Sequence, residues 1–97
     1  MKTLCVYILH CADDSLYVGV TNNIERRMFE HSTAYNPDSY TAQRLPVRLI
    51  HTEFIHGPRT AIKREKQLKN WSHSKKMALV NGDYELLAQI SKKKFRR

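Results

Sequence analysis

An acid in the middle of an apolar helical face, a histidine one turn after an arginine, and two tyrosines in strand-like runs are the residues here whose types and spacing suit chemistry. Glu65 falls among Ala61, Leu68 and, at the margins, Ile62 and Trp71, in a segment otherwise filled by Lys63, Arg64, Lys66 and Lys69. Burying an unpaired carboxylate is expensive. Glu65 therefore either pairs with a neighbouring cation or has a task, and a lone carboxylate in basic surroundings suits Mg²⁺, which keeps several of its waters. Arg27 and His31 lie four residues apart, one helical turn. A guanidinium fork fits a phosphate and an imidazole can donate, accept or relay a proton, although the same pair also suits a plain solvated face. Tyr7 and Tyr17 sit where aromatics ordinarily fill a core, and position alone does not make them reactive. Only nine acids are present, and apart from Glu65 they fall in the Asp13-Asp14 turn, on outward helix faces, near caps, or singly in loops and strands, which disfavours a two-metal site. His10, His51, His56 and His73 show no metal-ligand spacing.

The elements that must position these residues are legible from pattern. Leu4 to Leu9 and Leu16 to Val20 are apolar, β-branched runs separated by Ala12-Asp13-Asp14-Ser15, which predicts a β-hairpin. Tyr7 and Tyr17 share a face only if an odd number of residues separates the paired strands. A three-residue loop with Asp14 in the left-handed conformation, followed by a bulge, meets that condition. Gly19 suits a closely packed exit from the sheet, and Thr21 or Asn22 is placed to cap a helix running to about His31, with Ile24 and Met28 on its buried stripe, Arg27 and His31 along the edge, and Arg26 and Glu30 pointing away. Residues 32–45 read as a loop, 47–55 as a third strand, and 59–71 as the basic helix that carries Glu65 inside. A short helix through Met77 to Val80, capped by Ser72 or Ser74 and closed by Asn81-Gly82, precedes a last one opened by Asp83. The expected fold is α+β, a three-stranded, mainly antiparallel sheet flanked by helices, with one domain over residues 1–90 and a basic tail over 91–97.

Charge narrows the partner. Lys and Arg outnumber Asp and Glu by 17 to 9, and a net charge of +8 on 97 residues points first to nucleic acid. No apolar run approaches the ~20 residues of a membrane-spanning helix, and the strand pattern begins too early for a signal peptide, so a cytoplasmic protein is expected. Cys5 and Cys11 lie too far apart along an extended segment to join, and read as reduced core residues.

The hairpin Val6-Tyr7 with Tyr17-Val18-Gly19, then Asn23-Ile24-Glu25-Arg26-Arg27 and His31, resembles the signature of the GIY-YIG nuclease superfamily, most closely its small single-domain YhbQ-like branch. The resemblance continues through Tyr40-Thr41-Ala42-Gln43-Arg44-Leu45-Pro46-Val47 and the helix from Ala61 to Lys69, covering about residues 4–82. It implies that Tyr7 and Tyr17 are the paired tyrosines, with Tyr17 the base for the attacking water and Tyr7 hydrogen-bonding the phosphate or a metal-bound water. Arg27 is then the phosphate-binding residue, His31 assists proton transfer, and Glu65 is the ligand of one Mg²⁺ or Mn²⁺ ion. Asn81 falls near a supporting asparagine of some members. Cys5 stands at the glycine of the name motif, and Val20 stands where excision-repair members carry a lysine, which leaves proton transfer to His31.

The function so implied is a metal-dependent DNA endonuclease of repair or processing type, monomeric or weakly dimeric, with Arg26, Arg44, Lys63, Arg64, Lys66 and Lys69 contacting nucleic acid, DNA rather than RNA. Two alternatives stand beside it. One is a binding module of the same fold that cuts little or not at all; the other is a nuclease subunit whose protein partner recognises the substrate.

Overall fold

The computed structural model describes residues 2–33 and 37–94, with side chains as far as residue 90. Strands β1 (Thr3–His10), β2 (Leu16–Thr21) and β3 (Arg48–His56) form one sheet in the order β2-β1-β3, antiparallel throughout. Central β1 is the strand with the unbroken apolar run, because it is covered on both faces. Val6 and Ile8 face one way, with Val18, onto Ala61 and Leu68 of helix α2 (Pro58–Lys69). Cys5, Tyr7 and Leu9 face the other way, toward Tyr17 and toward Ile24 and Met28 of helix α1 (Ile24–Ser32). The sheet thus separates two cores, and both cysteines are buried and free.

The hairpin forms with the expected parity. The Cys11 N–H donates to the Ser15 carbonyl at 2.9 Å and the Asp14 N–H to the Cys11 carbonyl at 2.9 Å, which leaves Ala12, Asp13 and Asp14 as the loop. Asp14 takes a left-handed φ of 69°. Opposite pairs are Tyr7 with Gly19 and Leu9 with Tyr17, so the two tyrosines lie diagonally on one face.

The helix cap differs from expectation. The capping residue of α1 is Asn23, whose side chain accepts from the Arg26 N–H at 3.0 Å, while the Asn23 N–H donates to Thr21 Oγ1 at 3.1 Å. Thr21 is occupied in shaping the turn, and Asn22 accepts instead from the Arg26 guanidinium at 3.3 Å, which moves the cap one residue on. Glu30 does not point away: half-buried, it accepts from Arg27 Nη1 at 2.9 Å.

After α2, Ser72 caps helix α3 (His73–Val80), as expected, and Asn81 with Gly82 at φ 69° ends it. Helix α4 (Tyr84–Lys94) packs on α3. The boundary expected at residue 90 falls inside that helix, and residues 95–97 of the basic tail lie outside the described residues. No helix among the described residues is long and apolar enough to cross a membrane.

Candidate active site

Four of the five residues singled out for chemistry meet on the α1 face of the sheet. β1 supplies Tyr7 and β2 supplies Tyr17, with ring centroids 6.3 Å apart. α1 lays His31 against both rings, at 5.9 Å from Tyr7 and 5.4 Å from Tyr17, edge to face. Periodicity put His31 at the rim of the helix's apolar stripe, whereas it is buried, with 4% of its surface exposed. Burial is tolerated because both ring nitrogens are satisfied: Nε2 lies 2.9 Å from the Tyr7 hydroxyl and Nδ1 lies 2.7 Å from Thr41 Oγ1.

Arg27 interacts with the phenols of Tyr7 and Tyr17, and a guanidinium can only donate. The Tyr7 hydroxyl thus lies between the guanidinium and His31 Nε2, and when Nε2 is the acceptor the Nδ1–H donates to Thr41. Burial first, then the neighbouring Tyr17, pushes the Tyr7 pKa up to about 12, with Arg27 opposing. Burial and then Arg27 hold the His31 pKa down to about 4. Arg27 keeps its charge although burial works against it, since Glu30 and the two phenols hold it up.

A histidine buried in its neutral form makes stability depend on pH. The His31 pKa falls from 6.5 to about 4 on folding, so between those values the unfolded chain binds more protons than the folded one. Stability contributed at His31 is complete above pH ~6.5 and is lost as pH falls toward 4, up to about 3 kcal/mol. Urea midpoints measured between pH 7 and 4.5 should fall with pH, and the slope should shrink in His31→Phe. An unchanged slope in that variant would mean that other groups set it.

Thr41 and Tyr40 escaped role assignment from sequence. Thr41 is buried beneath His31, and the Tyr40 ring lies 5.8 Å from that of Tyr17. Both occupy the segment between α1 and β3, where side chains follow no period. The usable signal was a β-branched hydroxyl beside an aromatic in an otherwise polar stretch.

Glu65 stands on the other side of the sheet. On α2, Arg64 and Glu65 differ by about 100° of rotation and so flank the stripe of Ala61 and Leu68 on opposite sides. Arg64 reaches Glu53 of β3, and Glu65 lies on the opposite flank of that stripe. Its side chain is only 12% exposed and pairs with Lys69 Nζ at 2.6 Å. Among the described residues it contacts none of the four clustered groups, and no group of three or more His, Cys, Asp or Glu is placed to hold a metal.

The basic residues divide. Arg64 is committed to structure: its Nε and Nη2 donate to the two Glu53 oxygens at 2.8 and 2.9 Å, its Nη1 donates to Gln67 at 2.9 Å, and it lies over Trp71. That pairing, ahead of the opposing effect of burial, holds the Glu53 carboxyl below the usual range. Lys63, Lys66, Lys69 and Arg26 are exposed. Arg44 is half-buried, covers the Tyr40 ring at 3.7 Å and donates to Asp13 at 3.0 Å. Asn81 is exposed at the end of α3.

Comparison with known proteins agrees with this geometry. Residues 3–78 match the GIY-YIG catalytic domain, a nuclease fold found generally in endonucleases. A UPF0213 protein of Syntrophus aciditrophicus is 41% identical over 80 residues, spanning 82% of this chain and 92% of the relative. A UPF0213 protein of Natronomonas pharaonis is 45% identical over 75 residues, spanning 77% and 87%. The solution structure of the UPF0213 protein BH0048 from Bacillus halodurans is 35% identical with a TM-score of 0.54, over 82% of this chain and 84% of that one. The protein EF2693 from E. faecalis is 33% identical with a TM-score of 0.60, over 87% and 88%. With its two tyrosines on one sheet face and its arginine and histidine on the helix above them, the chain belongs to the GIY-YIG family, among its UPF0213 members.

Proposed function

We propose that this protein is a metal-dependent endonuclease that hydrolyses phosphodiester bonds in DNA, one strand at a time, in repair or processing. The observation that carries the reading is the Tyr7–His31 hydrogen bond of 2.9 Å beside a guanidinium that interacts with both phenols. It is a phosphate-binding group next to a hydroxyl with a route for its proton.

Arg27 binds the phosphate and stabilises the negative charge that grows on it during attack. Tyr7 takes the proton of the attacking water while its own proton passes to His31 Nε2, and Thr41 holds the imidazole in the tautomer that can accept it. The resemblance alone gives the base to Tyr17. Tyr7 is favoured here because it is the phenol bonded to an imidazole; Tyr17, half-buried between His31 and Tyr40, is left to hydrogen-bond the phosphate. Burial is the larger cause of the low proton affinity of His31 and the Arg27 charge the second, so a phosphate on Arg27 relieves that second part and favours proton transfer to the imidazole when substrate is in place.

Glu65 is the carboxylate that the resemblance offers to a hard cation, although it lies on the α2 side of the sheet, apart from Arg27. Glu65 offers a single carboxylate, one oxygen of which is held by Lys69, and Mg²⁺ or Mn²⁺ accepts one carboxylate and fills its remaining positions with water, unlike Zn²⁺. When bound, such an ion supplies Lewis-acid polarisation of the phosphate and neutralises charge at the leaving oxygen.

Cleavage of labelled single-stranded, duplex and flapped DNA tests this reading. Nicks are expected with Mg²⁺ or Mn²⁺ and none with chelator, and Tyr7→Phe should cut about 10²- to 10⁴-fold more slowly. Binding without cutting at any metal concentration would reduce the protein to a nucleic-acid-binding domain.

A further inference from the structure

We propose that the outer face of the Tyr40 ring is a stacking site for one unpaired nucleobase beside the scissile phosphate, and that Arg44 covers this face until nucleic acid arrives. The inference deepens the nuclease reading by naming the form of substrate.

Tyr40 continues the aromatic cluster outward: its ring is tilted only 30° from that of Tyr17 and 42% of its surface is exposed. Its backbone is anchored on the C-terminal side. Thr41 is buried on His31 Nδ1, and the Ala12 N–H donates to the Arg44 carbonyl at 2.9 Å. The ring is therefore presented from a fixed position, which lowers the ordering cost of binding.

Arg44 marks what that face accepts, since its planar guanidinium lies 3.7 Å from the ring centroid. It is held there by half-exposed Asp13 at 3.0 Å and by the Tyr40 carbonyl at 2.9 Å. Ion pairs this exposed are weak, and a phosphate gives the fork a stronger partner. Arg44 then moves to the strand backbone and a base takes its place on the ring. Only an unstacked base offers a free face, so single strands, flaps and junctions are selected over continuous duplex.

The test is binding in chelator, with 2-aminopurine placed at successive positions of single-stranded, flapped and duplex DNA. Wild type and Tyr40→Phe should quench one position in the first two. Tyr40→Leu should lose the quench and bind them about 10-fold more weakly, with duplex affinity unchanged. Arg44→Gln should lower the slope of log K against log salt for single strands by about 0.7. Equal weakening on duplex, or no weakening by Tyr40→Leu, would overturn the stacking site. Because nothing is cut in chelator, a protein that never cleaves still reveals or refutes the site, and the two ideas fail separately.

Discussion

Glu65→Gln is expected to abolish metal-dependent cleavage, by ~10³-fold or more, since Lewis-acid stabilisation contributes several kcal/mol. The substitution keeps the volume and a hydrogen-bonding oxygen, and the carboxylate is the charge a divalent cation needs. DNA affinity in chelator should hold or rise slightly, because one negative charge leaves a basic flank. Lys69 competes with a cation for this carboxylate, so Lys69→Met should lower the Mg²⁺ concentration at half-maximal rate. Titrating activity against Mg²⁺ for the three proteins reads all of this. A Glu65→Gln protein that cuts at wild-type rate would remove Glu65 from the site and leave the cation to other groups.

Gly19→Ala should disable the site from within the sheet. Gly19 lies opposite Tyr7 in the ladder, and a Cβ there would fall 2.5 Å from both Cζ and Oη of the Tyr7 ring. Tyr7 is 1% exposed and bonded to buried His31, so the ring cannot swing clear without breaking that bond. Overpacking and an orphaned imidazole nitrogen each cost about 1–3 kcal/mol. A combined loss of about 3 kcal/mol lowers Tm by roughly 15 °C in a domain of this size. Thermal melting with the cleavage assay checks it, and a melt within 2 °C of wild type with full activity would mean that Tyr7 relaxes freely. Here glycine serves as empty space for an opposing ring, and φ plays no part.

The hairpin was legible in detail because its constraints are local: alternation fixes the faces, and loop parity fixes whether Tyr7 and Tyr17 share one. The helices followed equally from period, and Glu65 stood out by its conflict with an apolar stripe, where it pairs with Lys69. Residues whose partners lie across the fold were harder to read. Arg64 appears in sequence as one more cation on a basic helix, yet it is spent on Glu53, eleven positions upstream. Thr41 carries no periodic signal, and its value lies in meeting His31. The cap moved from Asn22 to Asn23 because two adjacent asparagines are equivalent to a pattern, and only the Thr21 turn distinguishes them.

The packing of α1 has a further consequence. This helix is held to the sheet by Ile24, Met28 and His31, whereas the opposite face is closed by α2 with Leu68, Trp71 and the side chains of α3. The phosphate-binding and proton-accepting groups thus ride on the more lightly moored half of the molecule. In native-state hydrogen exchange, α1 amides should open at lower free energy than those of β1 and α2. Each such opening should withdraw Arg27 and His31 in one event while the rest of the sheet stays folded, an off-state expected to be reached more often than global unfolding.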